Sequence, residues 1–178
     1  MSSTTQKLIP TIGFLAVTEH AEHGLFGGYL LLNASGRPLE FHCTAPVKAN
    51  RAQEILYGPT LKPFLYGEQI GQTLIAKAKI TPLLICTDNP SILAAREFCQ
   101  TPLIWVLANQ KGEPSPSVIA SQPFSIGKNS ATTAPGFADD EAAAIAAWKP
   151  YSDYLDLLEP FVRIREALEE AQRSARAA

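Results

Sequence analysis

The chain has 178 residues, 46% of them hydrophobic and 18% charged, which suits one domain with its own core and excludes a disordered chain. Lys and Arg number 15 against 17 Asp and Glu, and the pI is near 5.9, so the broad basic footprint of a non-specific nucleic-acid binder is missing. Three cysteines (Cys43, Cys86, Cys99) without CxxC spacing argue against a disulfide framework, and no apolar run approaches the ~20 residues of a membrane span.

Residues 1–11 read as a flexible lead. The opening "MSSTTQKLIP" lacks a basic stretch followed by an apolar one, so no secretory signal is expected and a cytoplasmic protein is. "IGFLAVT" (12–18) is apolar and β-prone. "FGGYLLLNASGRPLEFHCTAPV" then carries two strands about the turn Asn33-Ala34-Ser35-Gly36. Leu39, Phe41 and Cys43 alternate with Glu40, His42 and Thr44, which predicts a half-buried strand with the first three inward. A three-stranded antiparallel meander is expected. Gly24, Gly27 and Gly28 do not form a dinucleotide fingerprint and read as a turn or bulge.

"NRAQEILYG" predicts a helix capped by Asn50 and stopped at Gly58-Pro59. A second helix is expected over about 60–79, with Pro63 in its first turn. "TPLLICTD" reads as a buried strand, "NPSILAAREFC" as a helix and "TPLIWVLAN" as another buried strand. Apolar runs alternating with helices predict parallel pairing. Residues 110–136 are rich in Ser, Pro, Gly and Thr and read as a long loop with at most one short strand near "SVIAS". "FADDEAAAIAAW" predicts a helix with acids at its N-terminus. Residues 151–178 predict an amphipathic helix, kinked before Pro160, with a frayed tail.

The expected architecture is α/β: a mixed five-stranded sheet with helices on its faces, in the order β-β-β-α-β-α-β-α. Its body is one domain over 12–150, followed by the C-terminal helix.

That order and four local words resemble the ribonuclease H-like superfamily over roughly residues 12–148. "AVTEHAEHGLFGGYLLL" is similar to the family's first strand, which ends in an acid before a Gly-rich turn. "NRAQE" is similar to the word that opens its first helix. "LLICTDNPS" is similar to its fourth strand, and "ADDEAAAIAAW" to its closing helix. The resemblance implies a metal-dependent nuclease acting on RNA or an RNA-DNA hybrid. Glu19, Glu54, Asp88 and one of Asp139 or Asp140 would be its catalytic acids. The first three and Asp139 would be ligands to Mg²⁺ or Mn²⁺. Two such ions about 4 Å apart would prepare the water and stabilise the leaving oxygen.

The chain departs from that pattern in three ways: glutamate stands for aspartate at position 19, Gly58-Pro59 interrupts the first helix, and the glutamate of "NRAQE" is displaced by one residue. Plainer readings stand beside each acid. Asp88 would cap the helix near Pro90, Glu54 and Asp139 or Asp140 would support helix dipoles, and Glu19 would be loop surface. His20, His23, His42 and Cys43 offer a zinc set, although His42 and Cys43 are strand neighbours and point to opposite faces. A different class of function follows from Leu155, Leu158, Val162 and Arg165 at helical spacing. On that reading the domain is catalytically silent and binds a protein partner, or itself, through the helix 152–172.

Overall fold

The computed structural model describes residues 10–108 and 121–177. One seven-stranded sheet runs through the molecule in the order β3-β2-β1-β4-β5-β7-β6. Strands β1 (Thr11–His20), β2 (Gly24–Asn33) and β3 (Pro38–Cys43) form the expected antiparallel meander. The β2–β3 turn is held by the Asn33 carboxamide, whose oxygen accepts from the amides of Ser35 and Arg37 at 3.0 Å each. Strand β4 (Leu84–Thr87) lies parallel to β1, and β5 (Leu103–Leu107) lies parallel to β4.

Two strands exceed the expected five. Strands β6 (Phe124–Ile126) and β7 (Asn129–Thr133) form a hairpin inside the segment read as loop, and β7 adds antiparallel to β5. Its turn is made by Gly127 at φ +57, a left-handed conformation open to glycine. "FSIGKNSATT" carries too few large apolar residues to announce a strand pair. It pairs because β5 presents an open edge. The strand expected near "SVIAS" falls, all but Ser121, outside the described residues.

The sheet is covered on both faces, so β1 and β2 are apolar on both sides. On one face, Phe14, Ala16, Leu30, Leu84 and Cys86 meet α4 (Asp140–Trp148) and α5 (Glu159–Ala177) through Ala144, Trp148, Phe161, Ile164 and Leu168. On the other, Leu15, Tyr29, Leu31 and Ile85 meet a rod built from α2 (Leu61–Pro63), a π-helical stretch Phe64–Gln72 and α3 (Thr73–Lys77). The 3₁₀ segment Pro90–Phe98 packs beside that rod.

Gly27 and Gly28 are neither turn nor bulge; they are the thin point of β2. A Cβ on Gly27 would lie 2.2 Å from Ile70 Cγ2, and one on Gly28 2.5 Å from Ile164 Cγ2. Successive strand residues face opposite sides, so the pair lets a helix approach closely on each face.

Three further expectations change. On β3, Leu39 (37%), Phe41 (38%) and Cys43 are exposed, while Glu40 and His42 are half-buried, the reverse of the predicted orientation. The cause is position: β3 is an edge strand. The Glu40 carboxylate turns inward to accept from the amides of Lys79 (3.1 Å) and Ile80 (2.8 Å) and to meet His42 Nε2 at 2.6 Å. The last helix starts at Glu159 rather than kinking at Pro160, because proline fits a first helical turn. Finally, its stripe divides. Phe161, Ile164 and Leu168 bury on the protein's own sheet, and Val162 remains 52% exposed.

Candidate functional site

The first helix, α1 (Arg51–Tyr57), owes its start to Asn50. The side chain of Asn50 accepts from the Gln53 amide at 2.8 Å, and Gln53 returns a bond to the Asn50 amide at 3.1 Å, a complete capping box. Yet α1 buries no residue: Ile55 is 65% exposed and Leu56 82%. Tyr57 stacks on Phe64 with ring centroids 4.0 Å apart, tying α1 to the rod that follows. Between this helical corner and the ends of β1 and β2 lies a cleft of about 430 Å³.

Glu19 and Glu54 both line it, with Lys48, Lys62, Leu65 and Tyr66. Glu54 pairs with Arg51 at 3.2 Å on an exposed helix face. Lys62 Nζ sits 5.6 Å from the Tyr66 ring centroid. Burial raises the Tyr66 hydroxyl pKa, and the Glu19 charge adds to the rise. The cleft is therefore amphipathic, with two carboxylates and two ammonium groups around an apolar floor. Lys48, Lys62 and Tyr66 carry no sequence signal of their own; only the fold brings them to the acids.

Asp88 is elsewhere. The β1–β4 register pairs Leu15 with Thr87, so the next step sets Ala16 beside Asp88. Ala16 is fully buried. Glu19 lies three residues further on, roughly 10 Å at ~3.3 Å per residue. It also faces the other side: Val17 packs with the π-helical rod, and the period of two carries Glu19 the same way. The Asp88 carboxylate faces α5, where it accepts from the Arg165 guanidinium. Nor does Asp88 cap the next helix. Asn89 does, accepting from the Ser91 amide at 2.9 Å.

Asp140 is buried, at 4% exposure, in a bidentate pair with Arg96, at 2.8 Å to Nε and 3.2 Å to Nη2. It also accepts from the Leu103 amide at 3.2 Å. The hydrogen bond from Arg96 to the Asp140 carboxylate raises the Arg96 pKa further above its already high value. Leu103 pairs with Ile85, three residues before Asp88, so Asp140 anchors the entrance of β5 while Asp88 stands past the exit of β4. Asp139 is exposed and makes no side-chain cap bond.

The histidines also separate. His20 and His23 stack on each other at 4.7 Å, His42 is held by Glu40, and Cys43 is exposed on the opposite face of β3. Among the described residues, no group of three or more His, Cys, Asp or Glu side chains is placed to hold a metal ion.

A two-ion site needs several carboxylates converging on one point. Here Glu19 and Glu54 share a cleft, Asp88 lies across the sheet beside an arginine, and Asp140 is bound to another arginine. The donor set as arranged does not fit the implied Mg²⁺ or Mn²⁺ pair.

With the geometry in view, solved structures give a fold likeness. The catalytic domain of human endonuclease V superposes with a TM-score of 0.51 over 92% of this chain and 84% of its own, at 12% identity. Endonuclease V is a nuclease with a ribonuclease H-like fold. The chain shares the overall fold of that human domain. Endonuclease V of Ciona intestinalis, solved with a 23mer DNA containing inosine, matches over 62% of this chain with a TM-score of 0.39 and 16% identity. The match spans about half (50%) of the Ciona chain. No family model and no curated protein matches the sequence.

Proposed function

We propose that this chain is a catalytically silent α/β domain on a ribonuclease H-like scaffold, and that it works by binding a partner rather than by hydrolysis. One observation carries the reading. The β1 residue beside Asp88 is the buried Ala16, and the Asp88 carboxylate is neutralised by Arg165. A guanidinium there supplies the positive charge that a divalent ion would otherwise bring, and it cannot activate water as a bound ion does. The mixed charge of the cleft, and the exposed Ile55 and Leu56 on the same short helix that supplies Glu54 to it, suit recognition of an amphipathic surface.

The nuclease reading keeps one specific support: Glu19 and Glu54 line the same cleft, with Lys48 and Lys62 available to phosphate oxygens. On that reading the substrate is RNA or an RNA-DNA hybrid and the ion Mg²⁺ or Mn²⁺. Thermal melting with Mn²⁺ at about 1 mM and cleavage of labelled RNA, hybrid and DNA separate the two, because an ion bound to the native state must raise the Tm by mass action. No Tm rise and no cleavage is the expected result. Mn²⁺-dependent cleavage abolished by Glu19→Gln would overturn the silent reading.

A further inference from the structure

The strand β3 ends the sheet, and no described strand pairs with its outer side. The Thr44 amide bonds to the Gly27 carbonyl at 3.0 Å, and Gly28 pairs with Cys43, so the ladder alternation can be counted from Thr44 to Glu40, where a register shift at Leu39 ends it. In an antiparallel pair, residues that exchange both bonds alternate with residues that exchange none. Thr44 and His42 therefore turn their backbone groups toward β2. Cys43 and Phe41 turn theirs outward.

The side chains of this open segment read as their own antiparallel complement. About a two-fold axis at Phe41, Phe41 meets Phe41 and Glu40 meets His42, while Leu39, the extra residue between Glu40 (paired with Leu31) and Pro38 (paired with Leu32), lies at a bulge beside Cys43 of the second copy. Phe41 (38%) and Leu39 (37%) are exposed apolar groups, and Cys43 beside them is also exposed. On the other face, Glu40 and His42 already form a pair at 2.6 Å. A second copy would interleave its own pair with this one, alternating acid and base across the axis.

We infer that two copies of this chain associate through their β3 edges, antiparallel and centred on Phe41. The dimer joins the two sheets into one. The charge pattern selects a second copy over an arbitrary strand, because the same short sequence supplies both halves of every cross-strand pair, as an isologous interface requires. Pro38 and Pro46 bracket the open segment and lack the N–H that longer pairing needs, which limits how far the contact can extend. The inference deepens the binding reading by naming the partner, and the two fail separately: metal-dependent cleavage would sink that reading and leave the dimer untouched.

Light scattering on the full chain over roughly 1 to 100 µM tests it, since the dimer fraction follows protomer concentration. The native chain should shift toward twice its monomer mass across that range. Phe41→Lys, which places like charges on the axis at an exposed position, should weaken association at least tenfold. Leu39→Cys checks the register. Its thiol would lie beside the native Cys43 of the second copy, whereas Cys43 of its own strand lies ~13 Å away, beyond disulfide reach. Mild oxidation should give a covalent dimer for Leu39→Cys and none for Leu39→Cys combined with Cys43→Ser. A monomer at every concentration, a dimer indifferent to Phe41→Lys, no cross-link in the single variant, or a cross-link in the double variant would each overturn it.

Discussion

At the scale of single residues, the acids divide by what neutralises them. Asp140 is the most enclosed, and its partner Arg96 has only 14% side-chain exposure. Removing one half of a buried pair leaves the other uncompensated. Asp140→Asn should therefore lower the unfolding free energy by about 3 kcal/mol in urea titration. A small change would place the pair among ordinary surface bridges. Glu40 is held differently. Its burial works to raise the pKa, but the His42 hydrogen bond and the amides of Lys79 and Ile80 outweigh this and lower it. Because the folded carboxyl titrates below the unfolded one, its stabilisation is fully present above a pH of ~4.3 and fades as pH falls through the lower folded value. Glu40→Gln should accordingly narrow the stability gap to the native chain in acid and widen it at neutral pH. Equal gaps at both would show that Glu40 carries no linked proton.

The elements show why two glycines stand together in β2. With Ile70 on one side and Ile164 on the other, the strand is pinched between the π-helical rod and α5. Overpacking a dense core typically costs about 1–3 kcal/mol. Gly28→Ala should destabilise within that range, and combining it with Ile164→Ala should cost less than the sum of the two single changes, because alanine removes the Cγ2 methyl that the new Cβ would meet. Independent, additive effects would mean that the strand shifts as a whole. The same elements show which parts of the fold are legible in sequence. The meander, the Asn50 cap and the alternation of strands and helices from Leu84 to Leu107 follow from local patterns. The β6–β7 hairpin does not, since its residues acquire strand geometry only by pairing with β5. The orientation of β3 was also hidden, because the apolar-in rule fails at an edge strand whose outer face no helix covers.

For the whole molecule, β1 is the organising strand. It pairs with β2 over its full length and with β4 over Ile12–Leu15, and both faces are covered. Its inner amides should exchange with solvent only through global unfolding, while those of the three-residue edge strand β6 should exchange through local opening. Hydrogen exchange with mass readout checks this order; faster exchange at Ile12–Leu15 than at Phe124–Ile126 would contradict it.

By itself, the sequence determined the layered α/β architecture and the placement of Glu19 near a strand end, Asp88 after a buried strand, and Asp139 and Asp140 at a helix start. Those are consequences of local periodicity and capping, and they survive in the structure. Which acids meet was decided only by the tertiary structure. A one-residue step reverses the face of a strand, so Glu19 joins Glu54 in a cleft while Asp88 turns to Arg165 on the far side. Arg96 and Arg165, far along the chain from the acids they neutralise, reach them only when the helices dock. Convergence of charge is a property of three-dimensional packing, and four acids in a familiar order do not supply it.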